Sequence, residues 1–147
     1  MGRRAGMERL LLRNAKIVDG TSSPWFWGDV ALEGERIVAI GRGLTASGAR
    51  VIDLHGLVLA PGFIDMHSHS DDTILVNRLA ESKVRQGITT EVIGNCGYSL
   101  APLVGGAIDS ITYDLEGYGI TPDWSSFGEY LQRIADNGTA VNIAALV

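Results

Sequence analysis

A single cysteine in 147 residues leaves no partner for an internal disulfide, which excludes the cross-linked scaffold of a small secreted protein. Basic runs are also missing. Lys plus Arg number 12 against 17 Asp plus Glu, a formal net charge of −5, and this balance argues against nucleic acid as a partner. No apolar run approaches the ~20 residues that span a bilayer, so no membrane partner is expected. The basic start, MGRRAGMERLLLRNAK, offers only Leu10 to Leu12 as a consecutive apolar stretch, against the about 7–15 residues of a signal peptide core. Gly6 stands where a myristoylation signal requires Ser or Thr. A cytoplasmic location is the default expectation, and Met7 is a candidate alternative start to Met1.

What is present is the make-up of a globular protein: 46% apolar and 20% charged residues, enough for a core and unlike a disordered or collagen-like chain. Nineteen glycines imply many tight turns or close backbone approaches. The length falls short of the roughly 200 residues that a closed (β/α)8 barrel needs.

Residues 10–60 read as a small all-β unit. Leu10 to Val18 is an apolar-rich run ending at the turn signal Asp19-Gly20. Asp29 to Leu32 and Arg36 to Ile40 flank Glu33-Gly34-Glu35, the pattern of a hairpin. Val51-Ile52 and Leu57 to Ala60 are further strand candidates, with His55 in a surface turn between them. Trp25, Phe26 and Trp27 are expected in the loop before the hairpin.

After Pro61-Gly62 the pattern changes. Phe63 to His69 reads as a short extended run, followed by a helix within Thr73 to Gln86 that Gly87 stops. Ile88 to Ile93 is β-branched and reads as a buried strand. Gly94 to Thr121 looks loop-rich, a length that is usually functional or holds short elements. Ser126-Phe127-Gly128-Glu129 fits a capping box. It opens a helix whose Phe127, Tyr130, Leu131 and Ile134 share one face and which Gly138 closes. Thr139 to Val147 is then a buried strand. Strand alternating with helix predicts parallel strands joined by crossover helices, and a chain ending on a bare apolar strand suggests the first part of something longer.

The chemistry concentrates in three residues. His67 and His69 flank Ser68, and residues two apart on an extended strand point to the same side, so their imidazoles can meet one metal or two neighbouring metals. From spacing alone, two ordinary polar residues at a strand end is the commoner reading, since H-x-H is a short pattern. Cys96 follows the next strand within Gly94-Asn95-Cys96-Gly97. If the strands are parallel neighbours, Cys96 reaches the same rim as the histidines, and thiolate with imidazole favours zinc. Alone it would read as a small buried apolar residue. A nucleophilic Cys96 with a histidine base ranks below metal binding, because two histidines aimed at one point are redundant for a dyad. Asp65, in phase with His67, could accept from an imidazole N–H or simply form a turn. Asp71 and Asp72 read as helix caps, Glu91 as a strand acid that is paired or at an edge, and Tyr98, Tyr113 and Tyr118 as loop residues lining a pocket or packing.

The stretches LLLRNAKIVDGTSSPWFWGDVALEGERIVAIG and VIDLHGLVLAPGFIDMHSHSD resemble the N-terminus of the amidohydrolase superfamily, and SKVRQGITTEVIGNCGYSLAPL is similar to the N-acyl-D-amino-acid deacylases, or D-aminoacylases. The resemblance runs from about residue 8 to Val147. It implies an α/β fold: the N-terminal part of a metal-dependent (β/α)8 barrel over residues 61–147, preceded by part of a small β-sandwich over residues 1–60, incomplete as it stands. It implies zinc-dependent hydrolysis of the amide bond of an N-acyl-D-amino acid to a D-amino acid and a carboxylate. His67, His69 and Cys96 match the family's metal ligands. The other ligands and an aspartate general base are expected in later strands, so no catalytic residue is assigned here and these residues alone are expected to be inactive. Zinc activating a water and polarising the carbonyl is the implied chemistry. A cyclic amide, an N-acyl-D-glutamate or an N-acyl-D-aspartate is an alternative substrate, and a non-catalytic truncated protein an alternative role.

Overall fold

The computed structural model describes residues 8–45 and 47–147. The choice between Met1 and Met7 as start lies outside the described residues. The chain divides into two compact units, with the break between Pro61 and Gly62. No helix among the described residues is long and apolar enough to cross a membrane.

The first unit is one five-stranded sheet. Its strands are β1 (Arg9–Ile17), β2 (Phe26–Glu33), β3 (Arg36–Gly41), β4 (Arg50–Asp53) and β5 (Val58–Leu59), in the order β3-β2-β1-β4, with β5 also on β1. The expected hairpin is there: β2 and β3 pair antiparallel, and Gly34 at φ 58° makes the turn between them. β1 pairs parallel with β4 over its first half and with β5 at its end. The two halves are separated by an irregularity between Leu12 and Ala15, where Asn14 takes φ 56°. Ala15, Ile17 and Val30 form a small core against Leu12, Leu32, Leu54 and Leu59. The aromatic trio is not all loop. Phe26 and Trp27 belong to β2, because the antiparallel ladder to β1 continues through Ile17–Phe26 and Lys16–Trp27. The Lys16 ammonium lies 5.2 Å and 5.6 Å from the Trp25 and Trp27 ring centres, within cation–π range. Asp29 is buried in β2, and its two oxygens accept the backbone N–H groups of Asn14 and Leu44, both at 3.0 Å.

The second unit runs β6 (Phe63–Asp65), α1 (Thr73–Val76), α2 (Glu81–Val84), β7 (Ile88–Ile93), α3 (Ala107–Glu116), α4 (Phe127–Asn137) and β8 (Asn142–Ala145). The three strands are parallel in the order β6-β7-β8, as the alternation predicts. Three expectations need correction. The single helix over Thr73 to Gln86 is two short ones, because Ala80 sits at φ 43°, outside any right-handed helix, and the chain turns at Arg78 and Leu79. The loop-rich stretch contains α3, whose Ile111 and Leu115 enter the core. The last strand is shorter than Thr139 to Val147, and β8 alternates half-buried with exposed residues because it lies at an edge of the three-stranded sheet. The capping box of α4 is complete: Ser126 Oγ accepts from the Glu129 N–H, and Glu129 Oε2 accepts from the Ser126 N–H at 2.8 Å. Tyr130 and Ile134 from α4, Ile111 and Leu115 from α3, and Ile93 from β7 belong to one buried cluster. Gly94, just past β7, has φ 80°, and a Cβ there would collide with the Leu146 carbonyl as the chain leaves β8. Only glycine lets these parallel strands run this close where the loop that carries Cys96 begins.

Candidate metal centre

His67 and His69 lie just beyond β6, not in it, since the ladder to β7 stops at Asp65–Glu91. The chain is nevertheless held to β7 past that point: the Ser68 N–H donates to the Val92 carbonyl at 3.0 Å. Parallel pairing brings the ends of β6 and β7 to one rim, where Gly94-Asn95-Cys96-Gly97 turns back. Cys96 occupies the left-handed region at φ 58° between glycines at φ 80° and 73°. A non-glycine residue there costs on the order of 1 kcal/mol and aims its side chain in a direction an ordinary turn would not.

The three donors converge. One ligand atom from each of His67, His69 and Cys96 can be chosen so that all lie within 4.8 Å of one another. His67 Nε2 and Cys96 Sγ are 3.2 Å apart, and the two imidazole rings are 5.3 Å apart, inclined at 58°. All three side chains are exposed. Two imidazoles and a thiol from separate loops fit a zinc-type ion by donor chemistry, because borderline-soft N and S ligands suit that metal.

Beneath the donors lies a polar network that the sequence reading did not identify. Glu91 on β7 is fully buried, and its Oε2 accepts the hydroxyls of Ser68 at 2.5 Å and Ser70 at 2.6 Å. Lys83 Nζ donates to Asp65 Oδ2 at 2.6 Å and Ser68 Oγ at 3.2 Å, and stands 3.5 Å from Glu91 Oε2. The Lys83 hydrogen bond, with help from the His67 N–H, holds the Asp65 carboxyl below its ordinary value. Burial works to lower Lys83, but Asp65 and Glu91 together hold its ammonium above the ordinary value. Asp65 therefore accepts the backbone N–H of His67 at 3.2 Å and a lysine, not an imidazole N–H.

Asp72 caps α1 by accepting the Thr73 N–H. Asp71 is not a helix cap; it is buried and reaches across to accept the Gly94 N–H at 2.9 Å, and burial pushes its carboxyl above the ordinary value. Tyr98 is half-buried, and burial with the charge of Asp114 raises its phenol to about 12. Tyr113 and Tyr118 are exposed, and His55 lies in the first unit, exposed as expected. The Ser-x-Ser spacing interleaved with the histidines was the visible signal for the network; nothing local tied it to Lys83 or Glu91.

A sequence profile described as the amidohydrolase family matches residues 50–136. An N-acyl-D-aspartate deacylase of Alcaligenes xylosoxydans xylosoxydans is 44% identical over 137 residues, covering 93% of this chain and 27% of its own length. A D-aminoacylase of the same organism is 41% identical over 138 residues, 94% of this chain and 28% of its own. The crystal structure of an N-acyl-D-glutamate deacylase from Bordetella bronchiseptica, complexed with zinc and a phosphonate inhibitor that mimics the tetrahedral intermediate, matches with a TM-score of 0.80 at 35% identity, over 97% of this chain and 29% of that one. The chain thus spans a little more than a quarter of the length of these relatives.

Proposed function

The chain belongs to the amidohydrolase family, and on that premise we propose that the whole protein is a zinc-dependent deacylase that hydrolyses the amide of an N-acyl-D-amino acid. The observation that carries the reading is the convergence of His67, His69 and Cys96 within 4.8 Å at the ends of neighbouring parallel strands. In this reading the three residues hold zinc, the second unit opens a (β/α)8 barrel, and the first contributes to a small β-sandwich. A zinc ion held there would supply Lewis acidity toward a water and the scissile carbonyl. The residues present hold and aim the metal; the base acting on water is assigned to none of them, and activity to the whole protein.

The 3.2 Å contact of His67 Nε2 with Cys96 Sγ would by itself suit a thiol–imidazole dyad. His69 in the same cluster favours the metal.

The test uses the full-length protein, assayed for D-amino acid release from N-acetyl-D-aspartate, N-acetyl-D-glutamate and N-acetyl-D-methionine, with zinc content measured in parallel. Release from at least one, abolished by chelation and restored by zinc, is the expected result. No release from any of them, or activity that survives chelation but not thiol alkylation, overturns it.

A further inference from the structure

Ser68, the residue between the two histidines, has every polar group engaged. Its N–H donates to the Val92 carbonyl at 3.0 Å, and its carbonyl accepts from Asn95 Nδ2 at 3.3 Å. Its hydroxyl donates to Glu91 Oε2 and accepts from Lys83 Nζ. It is 3% exposed, while the residues on either side of it are exposed. The Ser68 and Ser70 hydroxyls also lie 2.8 Å apart, and each has one hydrogen, so the pair forms one hydrogen-bonded group that accepts from Lys83 and donates to Glu91 Oε2. Lys83 also grips Asp65, whose other oxygen accepts the His67 N–H.

This is an unusual way to spend a buried carboxylate. A buried acid is costly unless paired and fully hydrogen-bonded. Glu91 crowds its partners onto one oxygen, while Oε1 is buried with no partner among the described residues. Packing alone would be served as well by an apolar residue of similar volume. What the acid and the lysine achieve is local: they clamp the backbone segment from Asp65 to Ser70, and every clamp lies on or beside the H-x-H.

We infer that Glu91 and Lys83 are positioning residues of the metal centre, fixing Ser68 so that the His67 and His69 side chains splay to a single point. This deepens the zinc reading proposed above and rests on it. Neither residue has a hydrogen bond to a donor atom among the described residues; Glu91 acts through the serines, and Lys83 through Ser68 and through Asp65. Without them the segment still reaches the rim, but the two imidazoles sample several separations and the metal is held less tightly and less regularly.

The experiment takes the full-length protein and its Glu91→Gln, Lys83→Met and Ser68→Ala variants. Zinc affinity is measured by chelator competition, the visible spectrum is recorded after cobalt(II) substitution, and the metal-free proteins are melted as a control. Loss of a partner that orients a ligand typically weakens metal affinity about 10–100-fold. All three variants are expected to fall in that range and to shift the cobalt ligand-field bands. Ser68→Ala removes one hydroxyl and keeps the proposal testable if Lys83→Met does not fold. Zinc affinity within twofold of wild type and an unchanged cobalt spectrum in Ser68→Ala and Glu91→Gln, whatever the melting temperature, overturn the inference and leave the network a purely structural one. A wild-type protein that takes up neither zinc nor cobalt overturns the metal reading itself, a result distinct from the first.

Discussion

Asp29 and Glu91 are both carboxylates buried in strands, one in each compact unit, and they are satisfied in opposite ways. Asp29 shares its two oxygens evenly between two backbone N–H groups, those of Asn14 and Leu44. Glu91 loads one oxygen with two serine hydroxyls and a nearby ammonium and leaves the other bare. The even arrangement is what a sheet needs at an irregularity: Asn14 stands at the break in β1, where a backbone donor would otherwise be lost. The uneven one leaves an atom unsatisfied while engaging Ser68 and Ser70, which lie beside the proposed metal donors. The surroundings differ too. Around Asp29 the core is the small cluster of Ala15, Ile17 and Val30, whereas the second unit buries a broad cluster drawn from α1, α3, α4, β7 and the connecting loops.

That contrast can be broken or sharpened by substitution, each case measured by denaturant unfolding of the full-length protein. Leu115→Ala, which empties a fully buried site in the larger core, is expected to cost about 2–5 kcal/mol, while Ile17→Ala, the same loss of three carbons in the smaller core, costs about 2 kcal/mol. Equal losses would show that the first unit is as tightly packed as the second. Asp29→Ala strips acceptors from two backbone donors and should cost about 1–3 kcal/mol with zinc affinity unchanged. A fall in zinc affinity there would erase the distinction drawn between the two acids.

The smallest effect concerns α4. Ser126→Ala is expected to cost about 1 kcal/mol. Glu129, hydrogen-bonded by the Ser126 and Ser125 N–H groups, has its carboxyl held below the ordinary 4.5. A depressed carboxylate stabilises the fold at higher pH and loses that contribution as acid protonates it. The stability difference between wild type and Glu129→Gln is therefore complete above pH 4.5 and disappears as the pH falls through the lowered value. A difference that persists unchanged in strong acid would contradict the assignment.

Local signals made much of this readable in advance. The capping box at Ser126 and Glu129, the hairpin around Gly34 and the parallel order of β6, β7 and β8 all rest on nearest-neighbour chemistry or on alternation of types. The convergence of His67, His69 and Cys96 was legible because two residues with spacing of two and a third after the next strand must share a rim if the strands are parallel. What was not legible depends on backbone exceptions or on distant partners. Nothing in Leu79-Ala80-Glu81 announces a left-handed alanine, so the break between α1 and α2 was missed. The helix α3 was hidden by glycines on both sides, although Ile108, Ile111 and Leu115 stand at helical spacing. Glu91 finds Ser68 and Lys83 only through the register of β6 on β7, and Asp71 finds Gly94 by the same route, which is why one read as an ambiguous strand acid and the other as a cap.

The left-handed conformation of Cys96 carries a consequence for how such a site could be re-engineered. Asn and Asp, besides glycine, are the residues that adopt this conformation most readily. The turn would therefore accept an oxygen donor from Asp with little rebuilding, whereas a β-branched side chain would force the loop open. The identity of the donor element is thus separable from the shape of the loop. If the proposed centre holds a thiophilic metal, Cys96→Asp is an exchange that would turn it toward a metal that prefers oxygen.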